Sequence, residues 1–156
     1  MESNNWSHNI VRNEATVKGI AMSATTVAVL GIKTEKQHEQ PAFFVPEYLQ
    51  KAGVKVVPVP VFYPEVTEIL GETVFRKVAD VPAVIDVLVI FRKPSDLPSH
   101  LEDILTARPK VVWLQTGIRN PEFEEQLARA GMRVVADRCL MVEHGSAMRD
   151  GIPSNL

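Results

Sequence analysis

Residues 84–91 read Val-Ile-Asp-Val-Leu-Val-Ile-Phe, a run dense in β-branched and aliphatic side chains. A short apolar run without polar alternation is typical of a strand that is buried on both faces, as in a parallel sheet. Similar runs occupy residues 26–30, 54–59, 110–114 and 132–135. We therefore predict a buried strand at each of these positions.

Helical patterns separate these strands. Pro41 and Pro121 mark two predicted helix starts, because the first position of a helix tolerates proline. Gly53 and Gly131 mark the ends of the same two helices. The predicted helices cover residues 41–53, 66–70, 97–105 and 121–130, with a last one from Leu140 onward, and residues 73–75 form a further, minor strand. Alternating strands and helices with short connections predict a single α/β domain, doubly wound, with a mostly parallel sheet and helices on both faces.

Composition narrows the classes of function. The 156 residues carry a net charge of −2 and no long Lys/Arg run, which argues against a nucleic-acid surface. A single cysteine permits no internal disulfide and favours a reducing compartment. No apolar run approaches the ~20 residues that span a bilayer, and residues 1–13 lack the apolar core of a signal peptide. We expect a cytoplasmic protein with an N-terminal extension (1–24, with helical spacing), a domain (25–148) and a tail (149–156).

Open parallel sheets bind ligands beyond the carboxyl ends of their strands, where the strand order reverses. Three predicted strands end in Gly31-Ile32-Lys33-Thr34, Phe91-Arg92-Lys93-Pro94 and Gln115-Thr116-Gly117. A glycine allows a tight turn, cations meet phosphate, and an aromatic ring beside a proline can wall a nucleobase. We predict that these strand ends form one site for a phosphorylated ligand.

Candidate catalytic groups are few. Cys139, Glu143 and His144 lie close in sequence, but nucleophilic catalysis needs a thiol and a base in spatial contact. We favour the interpretation of a small buried thiol beside a polar helix face, and we assign Trp113 to the core. The histidines have no spacing typical of a metal site. We therefore predict no catalytic residue and no metal ligand.

Several longer motifs resemble one known family. They are Ala79-Asp80-Val81-Pro82, Val89-Ile90-Phe91-Arg92-Lys93-Pro94, Val112-Trp113-Leu114-Gln115-Thr116-Gly117-Ile118 and Val135-Ala136-Asp137-Arg138-Cys139-Leu140-Met141-Val142-Glu143-His144. The chain resembles the small stand-alone CoA-binding proteins, which are related to the CoA-binding domain of the succinyl-CoA synthetase alpha subunit. The resemblance implies a Rossmann-like fold and a coenzyme A (CoA) or acyl-CoA ligand.

The resemblance also implies a pose for the ligand. Phosphates would meet the loop at Gly31 to Thr34, adenosine would lie between Val59-Pro60 and Phe91-Arg92-Lys93-Pro94, and the pantetheine arm would pass Gln115 and Gly117. A non-catalytic CoA-binding module, as a homodimer or as a partner enzyme subunit, is the leading hypothesis. Alternatives are an NAD(P)-dependent oxidoreductase, an acyl-CoA ligase component, and a scaffold with a degenerate nucleotide site. The feature that supports the scaffold alternative is Gly31-Ile32-Lys33, where the family usually has Gly-Ala-Ser.

Overall fold

The structure is a computed structural model that describes residues 5–151. Within that range the α-helices are α1 (Glu14–Ser23), α2 (Pro41–Lys51), α3 (Leu101–Ala107), α4 (Pro121–Arg129) and α5 (Leu140–Asp150). The strands are β1 (Thr26–Leu30), β2 (Lys55–Val59), β3 (Glu68–Ile69), β4 (Glu72–Thr73), β5 (Val87–Ile90), β6 (Val111–Leu114) and β7 (Arg133–Val135). Short 3-10 helices cover Asn5–Asn9, Glu35–Gln37, Val78–Asp80 and Pro94–His100.

Five strands form one parallel sheet in the order β2-β1-β5-β6-β7. The chain runs outward from β1 to β2 on one side and from β5 to β7 on the other, so the strand order reverses between β1 and β5. This confirms the predicted doubly wound, Rossmann-like α/β domain. The carboxyl ends of β1 and β5 consequently border the position where such sheets bind ligands.

Apolar side chains cover both faces of the sheet. Val27 and Val29 of β1 pack in one buried cluster, whereas Ala28 and Leu30 pack in the other. This alternation follows from the period of two in a strand, and it explains why the strands read as uninterrupted apolar runs. Trp113 is fully buried, as predicted, and its indole Nε1 donates to the Arg138 carbonyl at 2.8 Å.

The prediction of a helix over 66–70 was wrong. β3 and β4 pair antiparallel there, and the turn residues Leu70 and Gly71 both have positive φ, 57° and 75°. Positive φ at both central positions is typical of a type I′ turn, whose twist matches that of the two flanking strands. The predicted strand at 73–75 contributes only Thr73, to this hairpin, and Phe75 makes a single backbone bond to the β2 carbonyl of Pro58 at 3.0 Å.

The segment before α3 is tighter than predicted. Residues 94–100 form a 3-10 helix that contains Pro94 and Pro98, and regular α-helix begins only at Leu101. Proline has no N–H to donate to an α-helical ladder, which accounts for the delayed start. Leu97 and Ile104 nevertheless lie in the core, and Leu101 and Leu105 pack against it while partly buried.

Pro46 lies inside α2 without interrupting the helix. A helical residue at this position would donate its N–H to the carbonyl of Ala42, four residues earlier, and proline cannot. That carbonyl instead accepts the backbone N–H of Lys33 at 3.2 Å. The proline thus leaves free an acceptor that attaches the loop after β1 to α2.

The N-terminal segment packs on the same domain. Ile10 forms an isolated parallel bridge with Val134 at the β7 edge. α1 lies against α5, where Lys18 pairs with Asp150 at 2.9 Å. Because α5 continues through Asp150, the first residues of the expected tail are helical, while residues 1–4 and 152–156 lie outside the described range. No helix in residues 5–151 is both long and apolar enough to cross a membrane.

Candidate functional site

A cleft of about 620 Å³ opens at the carboxyl ends of β1, β5 and β6, where the strand order reverses. We call it the switch-point cleft. Its walls come from three strand exits and from the first residues of α2 and α5. The lining residues are Lys33, Gln40, Pro41, Ala42, Phe44, Phe91, Arg92, Lys93, Pro94, Gln115, Thr116, Ile118, Cys139, Met141 and Val142.

Gly31 brings the exits of β1 and β5 together. Its φ is +87°, a conformation that L side chains rarely adopt, and a Cβ here would overlap the Phe91 carbonyl oxygen. The Gly31 N–H donates to the Val59 carbonyl at 2.9 Å. The close approach that a glycine permits at this position is made by the protein's own backbone.

The loop after β1 already uses several of its amides. Lys33 donates to the Ala42 carbonyl at 3.2 Å, and Thr34 donates to the Gln37 side-chain oxygen at 3.1 Å. The Thr34 hydroxyl lies 2.7 Å from the same oxygen. A phosphate bound by the N–H groups of Lys33 and Thr34 would have to displace these bonds. The cationic side chains are therefore the groups that an anion meets first.

Arg92 is held at the cleft by its neighbours. Its side chain is 15% exposed, with Nε 3.1 Å from His100 Nε2 and the guanidinium 3.5 Å from Asp96. The guanidinium carbon also stands 5.5 Å from the ring centroid of Phe62. Because Arg92 donates, His100 accepts with an unprotonated nitrogen. Burial, and next the charge of Arg92, lower the pKa of His100, so the pair is suited to a neutral imidazole.

The charged residues that line the switch-point cleft are all cationic. Lys33, Arg92 and Lys93 line it, and no lining residue carries a carboxylate. A neighbouring cleft of similar size, about 610 Å³, is lined instead by Glu35, Glu47 and Glu68 with one lysine. An anionic ligand of nucleotide size is therefore favoured in the switch-point cleft and disfavoured in the glutamate-lined one.

Gln115 joins the cleft to α5. It is only 4% exposed, and its side-chain oxygen accepts the N–H of Leu140, the first residue of α5, at 2.8 Å. This bond satisfies one of the orphan amides at a helix start. Within residues 5–151 the side-chain Nε2 has no hydrogen-bond partner. Every fully buried side-chain polar atom in that range has a partner, so Nε2 is not fully buried. The nitrogen therefore reaches the cleft surface as a free donor.

Six of the twelve predicted binding residues line the cleft: Lys33, Phe91, Arg92, Lys93, Pro94 and Gln115. The other six do not. Ile32, Val59 and Pro60 are buried in the domain, whereas Gly31 and Thr34 are engaged as described above. Gly117 donates its N–H to Asp137 at 2.7 Å. The role of all twelve residues in binding stays a prediction.

Sequence reasoning missed the walls that two helix starts supply. Gln40, Pro41, Ala42 and Phe44 come from the beginning of α2, and Cys139, Met141 and Val142 from the beginning of α5. The sequence predicts both helix starts, at Pro41 and at Leu140, but gives neither of them a place in the site. How a helix start tilts toward a neighbouring strand end is a matter of tertiary packing, which the local pattern does not encode.

His144 forms its side-chain hydrogen bond with Tyr48 and not with Cys139. Its Nδ1 lies 2.9 Å from the Tyr48 hydroxyl, and the two rings meet edge to face at a centroid distance of 5.4 Å. Burial lowers the pKa of His144. This contact links α2 to α5 and gives the histidine a structural role. Among residues 5–151, no group of three or more His, Cys, Asp or Glu side chains is arranged to hold a metal ion.

An open parallel sheet with a basic cleft at its switch point defines a ligand-binding doubly wound domain. Residues 25–145 match the family described as the CoA binding domain. The chain therefore belongs to the CoA binding domain family.

Relatives of the chain include small proteins and part of a larger enzyme. It is 28% identical over 132 residues to the uncharacterized protein YneT of Bacillus subtilis, covering 85% of this chain and 94% of YneT. A Thermus thermophilus structure described as cell-free ID.343 is 43% identical with a TM-score of 0.79, covering 87% of this chain and 99% of that one. A dinucleotide forming acetyl-coenzyme A synthetase 1 of Candidatus Korarchaeum cryptofilum is 28% identical with a TM-score of 0.58, covering 70% of this chain and 25% of the synthetase.

Proposed function

We propose that this protein binds CoA or an acyl-CoA in the switch-point cleft as a non-catalytic binding module. The observation that carries the proposal is the charge of the cleft: three cations and no carboxylate line a largely apolar depression. CoA combines phosphates, an aromatic base and a long arm, so it needs both features. Membership of the CoA binding domain family supports the same ligand.

In the proposed pose, the phosphates meet Lys33, Arg92 and Lys93, and the adenosine lies against the strand exit at Phe91 and Pro94. The pantetheine arm follows the wall toward Gln115, whose free Nε2 can donate to one of the arm's amide carbonyls. Arg92 is already oriented by His100, which limits the entropy lost when a phosphate binds. His144 is bonded to Tyr48 rather than to Cys139, so the two do not form the Cys/His pair that nucleophilic catalysis would use.

Calorimetric titration of the full chain with CoA, ADP, NAD and NADP tests the proposal. CoA is expected to bind most tightly, and its affinity is expected to fall as salt rises, because exposed ion pairs are screened. Lys33→Ala should weaken CoA binding roughly two- to fivefold, the range of a partly exposed charge contact.

Lys36→Ala is the matched control for charge. Lys36 lies in the same loop but lines the glutamate-lined cleft, so its removal should leave CoA affinity unchanged. Tighter binding of NAD than of CoA would favour an oxidoreductase and reject the proposal. An absence of response to all four nucleotides would favour the scaffold alternative.

A further inference from the structure

Cys139 lines the switch-point cleft as the residue that immediately precedes α5. It is partly exposed, and the chain has no other cysteine. A partly exposed thiol at a cleft differs from the small buried thiol that the sequence predicted. Its position raises the question of which reactive partner the cleft brings to it.

Gln115 supplies an independent indication of a ligand beside this thiol. Its side chain is more than nine-tenths buried, its oxygen is fixed by the N–H of Leu140 at 2.8 Å, and Leu140 directly follows Cys139. The unpaired Nε2 thus belongs to a cleft-lining side chain whose oxygen is bonded to the residue next to the thiol. An amide donor held in this way fits a ligand that carries an acceptor carbonyl near its reactive end.

We infer that Cys139 forms a mixed disulfide with a thiol ligand whose amide-bearing arm lies along Gln115. The inference rests on the proposed function, because the thiol end of CoA is the group that the arm would carry to this position. Phe44, Met141 and Val142 also line this cleft and give the arm apolar contacts. Cys139 would thus be a site of reversible covalent modification.

The step needs a disulfide of the ligand as co-reactant. The Cys139 thiol loses its proton, and the thiolate attacks one sulfur of the ligand disulfide. The S–S bond of the ligand breaks as the Cys139–ligand S–S bond forms, and the departing ligand thiolate takes up a proton. One disulfide is consumed and one is formed, so no further oxidant is required.

Intact-protein mass spectrometry of the full chain, incubated with CoA disulfide, tests the inference. The probe for an unguided reaction is 2-hydroxyethyl disulfide, which is neutral and has no nucleotide. The rate with CoA disulfide should saturate with concentration and exceed the control rate roughly tenfold or more, because prior binding raises the local concentration of the disulfide. Lys33→Ala should slow only the CoA reaction, and Cys139→Ser should form neither adduct.

Equal, unsaturable rates with both disulfides would overturn the inference. If the rates are equal but the reduced protein still binds CoA in the titration, the disulfide is rejected and the proposed function stands. If CoA fails to bind as well, both fail together.

Discussion

Replacing Gly31 by alanine should destabilise the fold at the point where the sheet reverses its strand order. The left-handed backbone at φ +87° costs an alanine about 1 kcal/mol. The added Cβ would also overlap the Phe91 carbonyl oxygen and lie 3.1 Å from the carbonyl carbon and 3.3 Å from Arg92 Cδ. Overpacking against backbone adds about 1–3 kcal/mol, so the total loss is about 3 kcal/mol.

Gly53 offers a matched control. Its φ is +96°, and a Cβ there would meet nothing within 4 Å. Gly53→Ala therefore carries the backbone strain without the steric overlap, and about 1 kcal/mol should be lost. Urea denaturation followed by circular dichroism gives both free energies of unfolding, and unchanged m-values would show that the denatured state is comparable.

The difference between the two variants is the informative quantity. If Gly31→Ala lost no more stability than Gly53→Ala, the contact between the β1 and β5 exits would not be rigid, and the reasoning would be refuted. Gly31→Ala should also weaken CoA binding, because the atoms that must move belong to Phe91 and Arg92 in the cleft wall.

Two further predictions concern stability. Burial lowers the pKa values of His100 and His144 from 6.5, so below that pH the unfolded chain binds more protons than the folded one. The free energy of unfolding should therefore stay constant above about pH 6.5 and fall below it. A urea midpoint that rose on acidification would contradict this. The Asp103 carboxylate accepts the N–H groups of the first two residues of the 78–80 helix at 2.7 and 2.9 Å. Asp103→Ala should therefore lower the free energy of unfolding by about 1–2 kcal/mol in chemical denaturation. The control Glu102→Ala, at an exposed neighbouring residue, should change it by less than about 0.5 kcal/mol. Equal losses in the two variants would count against the capping role of Asp103.

The sheet could be predicted from sequence because its strands are buried on both faces. The run at 84–91 shows this well: four of its residues form β5, all buried. The run also includes Asp86, whose carboxylate instead accepts the Thr25 hydroxyl at 2.7 Å and the N–H of Thr26 at 3.0 Å. Burial alone would raise the pKa of Asp86, but these bonds outweigh it and lower the pKa.

The short hairpin and the details of the site could not be predicted in the same way. Residues 66–70 have apolar spacing that fits a helix. Leu70 instead adopts a left-handed backbone conformation, which is uncommon for a non-glycine residue and is set here by the tertiary structure. For the site, strand order alone brings Lys33, Arg92 and Gln115 to one rim. Whether the amide of Lys33 is free depends on a carbonyl in α2, which no local pattern reveals.

That carbonyl belongs to Ala42, and it is available because residue 46 is a proline. A proline inside one helix thereby sets how firmly the loop at Lys33, thirteen residues earlier in the chain, is attached. Anyone who reshapes the loop to accept another ligand would need to treat the two positions as one unit. Restoring an ordinary amide at 46 would create a competitor for the same oxygen, and the loop would become easier to lift away from the helix.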